Sequence, residues 1–155
     1  MGRTFIALIL ILVMNTFVGC PPKNMQLNES LFHFNNAYRW KRNDLSSDFI
    51  YPSHRSLILK DLRSHEKGIS ISELEIEDIF VDNKKGVALV KIRVSYLMTN
   101  ETILREEVIS QYWLKEQSNW YFVGQSGSER LSIPIPEDLK SRIFWGTDDA
   151  GVSDN

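Results

Sequence analysis

The sequence predicts an α+β fold, with helices leading the folded body and an antiparallel sheet following them. Apolar residues recur at three- or four-residue steps up to Leu62, and after Gly68 the period becomes two. Short polar turns at residues 82–86, 100–101 and 117–119 then divide the second half into strands suited to sequential hairpins. With 155 residues, 43% of them hydrophobic, the chain is long enough for one domain around one core.

The elements follow in order. Leu27, Leu31, Phe34 and Tyr38 form the inner stripe of a first helix over residues 27–43, with Asn28 as N-cap and Asn35, Arg39 and Arg42 on other faces. Residues 45–51 suit a short second helix ended by Pro52. Ser53 caps a third helix carrying Leu57, Ile58, Leu59 and Leu62, which Gly68 stops. Residues 69–81 alternate imperfectly, which predicts a strand with a bulge near Asp78. Residues 87–99 alternate cleanly, placing Ala88, Val90, Ile92, Val94, Tyr96 and Met98 on one face. Strands over residues 102–116 and 120–125 complete the meander. The helices are expected to pack on one side of this curved sheet, with Trp40 as a candidate core ring.

The final stretch carries less pattern. Residues 128–136 read as extended chain, and Pro136 opens a short helix over residues 137–142. Ile143, Phe144 and Trp145 either dock on their own domain or meet a partner. Residues 146–155 are acidic and small, with almost nothing to bury, so a disordered end is expected.

The first twenty residues have a different character. Arg3 precedes an unbroken apolar run, residues 5–14, and Phe17-Val18-Gly19-Cys20 leads into Pro21-Pro22. This is the layout of a secretory leader. A spanning helix needs about 20 apolar residues, and residues 4–18 fall short of that with polar residues inside. The ending resembles the bacterial lipobox, with Phe17 where leucine usually stands. The resemblance implies cleavage between Gly19 and Cys20 and a diacylglycerol on the Cys20 thiol. Cys20 is the only cysteine, so no disulfide is expected. More than one acyl chain on that residue would hold the protein on its membrane, with residues 20–26 as tether. The expected location is the bacterial envelope, at the outer membrane facing the periplasm, since Pro21 is not the aspartate that often retains such proteins at the inner membrane.

Two stretches of the body carry a second resemblance: residues 38–50, from Tyr38-Arg39-Trp40 to Phe49-Ile50, and the last hairpin, Gln111-Tyr112-Trp113-Leu114 through Trp120-Tyr121-Phe122-Val123. Over residues 27–125 their order and composition resemble the nuclear-transport-factor-2-like superfamily, which includes ketosteroid isomerases and polyketide-cyclase-like enzymes. The resemblance implies a cone-shaped domain, bounded at residues 27–131, with residues 132–155 as an extension. Together with the leader, it looks like the lipid-anchored members of that superfamily in bacterial envelopes.

Chemistry is sparse. His33, His54 and His65 form no metal-type pair, and no cysteine completes a zinc site. No GxGxxG, GxxxxGK[ST] or GxSxG occurs, and no cofactor is expected. Removing residues 1–19 takes Arg3 with it, leaving 17 cations against 20 anions, a net of −3. The charges are interspersed, so no nucleic-acid partner is expected. Tyr38, Tyr96 and Tyr112 are candidate pocket-lining residues. An isomerase-like site would need a carboxylate base, Asp44 or Asp48, beside a tyrosine donor such as Tyr38. The leading expectation is a non-catalytic, lipid-anchored envelope domain that binds a partner protein or a small apolar ligand. The alternative is an isomerase- or cyclase-like enzyme. For the anchor, labelled palmitate should enter the wild type and fail to enter Cys20→Ser; a mutant that stays membrane-bound with its leader intact would make the segment an uncleaved anchor.

Overall fold

The structure, a computed structural model, describes residues 25–144. The leader, Gly19, Cys20, Trp145 and the acidic end lie outside the described residues. Helix α1 spans Met25–Arg39, so Asn28 lies within it and is not its cap. It ends because Lys41 turns into the left-handed region at φ 56°. The Arg42 N–H then reaches back to the Ala37 carbonyl at 2.8 Å, and the Lys41 N–H to that of Tyr38 at 3.1 Å. This paired closure satisfies carbonyls of the last turn and stops the helix short of Asn43. Glycine usually holds that position, which is why a lysine gave no stop signal.

Helix α2 is a single turn, Asn43–Ser46, continued by a 3-10 turn at Ser47–Phe49. Pro52–His54 forms another 3-10 turn before α3, Arg55–Glu66. Ser53 is no cap: its hydroxyl meets His54 Nδ1 at 3.2 Å. The strands are β1 (Ile69–Asp82), β2 (Val87–Met98), β3 (Arg105–Glu116) and β4 (Asn119–Ser126), and α4 spans Glu137–Ile143. They form one antiparallel sheet in sequence order, β1-β2-β3-β4. Among the described residues, four helices and a four-stranded sheet make the fold α+β, as expected. The β1–β2 turn is set by Asp82, whose Oδ1 accepts from the Lys84 and Lys85 N–H groups at 3.0 and 3.1 Å, and by Gly86 at φ 65°.

Imperfect alternation in β1 has a structural cause. Its register slips twice, between Ile71 and Glu73 and between Ile76 and Asp78. Each slip moves the inward set by one residue. Ile69 and Ile71 oppose Met98 and Tyr96, Leu74 and Ile76 oppose Val94 and Ile92, and Ile79 and Val81 oppose Val90 and Ala88. The second bulge lies where the sequence placed it. The first surrounds Ser72, whose hydroxyl donates to the Ser95 carbonyl at 2.9 Å.

The core lies between α1 and the inner sheet face. Phe34 stacks on Phe122 with ring centroids 4.3 Å apart and meets Trp113 edge-on at 5.5 Å. All three rings are fully buried, with Leu27, Leu31, Ile92, Ile109 and Leu62 around them. Leu131 and Ile133 belong to this same core, so a domain edge at residue 131 would cut it. Ile133 exchanges both backbone hydrogen bonds with Gln125, at 2.8 and 2.9 Å, and so covers the outer edge of β4. Gly124 permits that approach: a Cβ there would stand 2.9 Å from the Ile133 carbonyl oxygen.

Strand neighbours point to opposite faces, so Leu114 and Val123 face away from the main core. There Leu139 of α4 covers them, packed with Tyr51, Tyr112 and Ile143. Ile143 thus docks on its own domain, and Phe144 meets Tyr112 edge-on at 5.4 Å. Trp40 departs from expectation. It is 63% exposed, because the helix has already turned at Lys41 and sends it outward beneath the Arg39 guanidinium, 5.1 Å away. Urea denaturation should therefore separate the tryptophans: Trp113→Ala loses about 3–5 kcal/mol, whereas Trp40→Ala stays within about 0.5 kcal/mol of wild type.

Candidate functional site

A groove of about 170 Å³ opens between α1 and the β1–β2 hairpin. Leu31, Phe32, Leu74, Ile76 and Ile92 form its apolar walls, and Asn35, Asn36 and Arg39 supply its polar groups. Helical spacing brings Leu31, Asn35 and Arg39 into one row, four residues apart. The segment between the two bulges turns Leu74 and Ile76 toward that row. Ile76 remains 43% exposed and Phe32 64%, so the helix covers this end of the sheet incompletely.

Behind the groove lies a buried amide chain. Asn35, Gln111 and Gln125 are all buried, and Tyr38 lies beside them. Gln125 Nε2 donates to the Leu131 carbonyl at 2.5 Å and to the Tyr38 hydroxyl at 3.4 Å. A backbone carbonyl can only accept, so the nitrogen of Gln125 must face Leu131 and its oxygen must face Gln111. Gln111 answers with Nε2, which donates to Gln125 Oε1 at 3.3 Å and to Asn35 Oδ1 at 2.8 Å. Asn35 is thereby fixed with its oxygen occupied and its Nδ2 left over. That nitrogen is buried and unpartnered, as are Gln111 Oε1 and Arg39 Nε. Other unpartnered buried donors, on Trp113, Trp120 and Arg55, do not line this groove.

Leaving a buried donor unmade costs roughly 1–3 kcal/mol, so two at one groove are an unusual arrangement. Arg39 makes no ion pair among the described residues, and no carboxylate lines the groove. The groove can therefore accept an apolar body.

The residues singled out from sequence do not assemble. Asp44 is exposed and paired with Arg42 at 2.9 Å, a hydrogen bond that holds its carboxyl below the usual range. Asp48 is also exposed, while Tyr38 is buried against Phe34. A base on either aspartate thus has no tyrosine donor beside it. Tyr96 is buried on β2, and Tyr112 sits on the opposite sheet face with its hydroxyl 3.1 Å from that of Ser126. The three tyrosines consequently line no common pocket. His33 is exposed and stacks on Phe49, and His54 meets Asp138 at 3.0 Å. Among the described residues no group of three or more histidine, cysteine, aspartate or glutamate side chains is placed to hold a metal ion. None of their helices is long and apolar enough to cross a membrane.

Asn35, Gln111 and Gln125 were not anticipated, although one signal was available. Gln111 stands between Ile109 and Trp113 at an inward strand position, where a polar residue needs a buried partner. The helical period places Asn35 off the inner stripe, but the close seating of α1 buries it.

No protein-family model matches the chain, and no curated protein does so either. Among solved structures, the solution structure of a SEC-C motif containing protein from Rhodopseudomonas palustris is similar, with a TM-score of 0.51 and 16% identity. The match covers 61% of this chain and 73% of that one. At such identity the likeness is one of fold. It corrects the resemblance drawn from sequence: the assignment to bacterial lipoproteins with a nuclear-transport-factor-2-like domain is withdrawn. The residues that suggested it, Trp113, Trp120 and Phe122, are buried core rings. Any hairpin packed under a helix favours aromatics at those places, so the pattern reports packing and not ancestry.

Tyr38 gives the buried chain a pH signature. Burial pushes its hydroxyl from 10.0 up to about 12. The folded state keeps a proton that the unfolded state loses first, so this contribution is complete below pH 10 and disappears as pH rises to about 12. Denaturation at stepped pH should show stability falling across that window, and Tyr38→Phe should flatten the fall by roughly 2–3 kcal/mol.

Proposed function

We propose that the protein is a non-catalytic binding domain that takes a small apolar ligand into the groove between α1 and the β1–β2 hairpin. The observation that carries the reading is an apolar recess walled by Leu31, Phe32, Leu74, Ile76 and Ile92, with Asn36 and Arg39 on its border. Ligand sites combine apolar walls with a few placed polar groups, and this groove has both. An engineered apolar cavity of about 150 Å³ holds benzene, so a guest near that size suits this volume. The isomerase-like alternative gains no support from Asp44 and Asp48, which stand in solvent.

The test uses the full chain in phospholipid nanodiscs with ¹³C-labelled isoleucine methyl groups. Toluene should shift the Ile76 and Ile92 resonances saturably and leave Ile143, on the opposite face, in place. If saturating toluene moves neither Ile76 nor Ile92, the groove is not a ligand site. Exposed Phe32 and Ile76 would then be the first surface to examine for a protein contact.

A further inference from the structure

We propose that the solvent face of α3 is a binding site for a phosphate-bearing polyanion, gripped by Lys60, Arg63 and Lys67 with Ser56 and Ser64 as neutral donors. The site is separate from the apolar groove, which α1, β1 and β2 line.

The seating of α3 fixes the arrangement. Ile58 and Leu62, four residues apart, are buried beneath the helix. At 3.6 residues per turn, Ser56, Lys60, Arg63, Ser64 and Lys67 then fall together on the opposite side. All five are exposed, and they line one shallow groove of about 350 Å³. Elsewhere among the described residues a lysine or arginine is usually held by a carboxylate, a carbonyl or a ring, as Arg93 is by Glu77 and Lys41 by the Glu66 carbonyl. The three cations of this groove make no ion pair.

Two details favour an anion there. The acids of α3, Asp61 and Glu66, are half-buried and line no part of the groove, and the Asn43 amide holds the Glu66 carboxylate at 2.9 Å. The carbonyl end of a helix repels anions, but the Lys41 ammonium donates to the Glu66 carbonyl at 2.7 Å and offsets that end. The spacing then selects the ligand. Lys60 and Lys67 stand about 10 Å apart along the axis, with Arg63 between them. One carboxylate cannot meet all three, whereas linked or neighbouring phosphates can. Each phosphate offers several strong acceptor oxygens, which suit ammonium, guanidinium and hydroxyl donors together.

The test titrates tripolyphosphate into the full ¹⁵N-labelled chain in phosphatidylcholine nanodiscs. The amides of Lys60, Arg63, Ser64 and Lys67 should shift saturably. Replacing Lys60 and Arg63 together by glutamine should weaken binding about tenfold, as expected for two exposed charge contacts. Lys84→Gln removes an exposed cation from the β1–β2 turn and should change affinity less than about twofold. Unchanged amide spectra in the unliganded variants verify that each still folds. Exchanging phosphatidylcholine for phosphatidylglycerol discs separates the two sources of phosphate. If the same amides move on that exchange, and the double variant abolishes the movement, the source is a lipid headgroup; if they move with tripolyphosphate alone, it is a soluble phosphate compound. The site is ruled out if neither probe moves these amides, or if Lys84→Gln weakens binding as much as the double variant. Citrate binding as tightly as tripolyphosphate would rule out the phosphate class.

Discussion

The seating of α1 on the sheet is the constraint from which the rest of the site follows. Phe34 lies 4.3 Å from Phe122 and 5.5 Å from Trp113, ring centre to ring centre. A helix locked by so large a side chain has no freedom to rotate about its axis. Each residue advances about 100° around a helix of 3.6 residues per turn. One step on from Phe34, Asn35 falls on the side of the helix that meets β3 and is buried beside Gln111, while His33, one step back, falls on the exposed side. Arg39, one turn further along the same row, reaches the mouth of the groove. Apolar packing thus decides which polar groups the groove contains.

The direction of those polar groups is decided at the other end of the chain. Amides can be turned by half a rotation at little cost in shape, and a lone buried amide would have no fixed polarity. Here the Leu131 carbonyl, which has only lone pairs, removes the choice for Gln125. The choice then passes through Gln111 to Asn35. The segment carrying Leu131 and Ile133 is also bonded to β4 through backbone pairs at 2.8 and 2.9 Å. A length of chain that reads as an irregular extension is therefore part of the core and sets the polarity of a site on the far side of it.

Much of the fold was legible because its signals are local. The inward set of β2, from Ala88 to Tyr96, could be read by alternation alone, since β2 has a strand on each side and no bulge against β3. Asp78 and Gly68 marked a bulge and a stop through their own chemistry. What escaped depended on contacts distant in sequence. Asn35 is separated from Gln111 by 76 positions, and Tyr38 from Gln125 by 87. No period within one segment can report such a pairing. Lys41 escaped for another reason: its left-handed conformation is held by two backbone bonds, while its side chain gives no hint. The aromatic hairpin works in the opposite direction, since Trp113, Trp120 and Phe122 are selected by packing and carry no mark of family.

The two edges of the sheet are managed differently, and that difference leaves the groove where it is. At β4 the chain returns upon itself, with Ile133 and Ile50 bridging the strand and α4 covering its outer face. A further network secures that cover: the Tyr51 hydroxyl donates to Glu116 at 2.8 Å, and Arg142 reaches both. Those bonds hold Glu116 below the ordinary carboxylate range. At β1 no segment returns among the paired strands. Two bulges and the exposed carboxylates of Glu73, Glu75 and Asp78 blunt the edge against pairing with another strand. Bulges bend a strand and strengthen its twist, so β1 leaves a gap to α1 although Leu74 and Ile76 are turned toward it. The inner face at this edge therefore stays partly uncovered, and the protection of β1 and the opening of the groove have one origin.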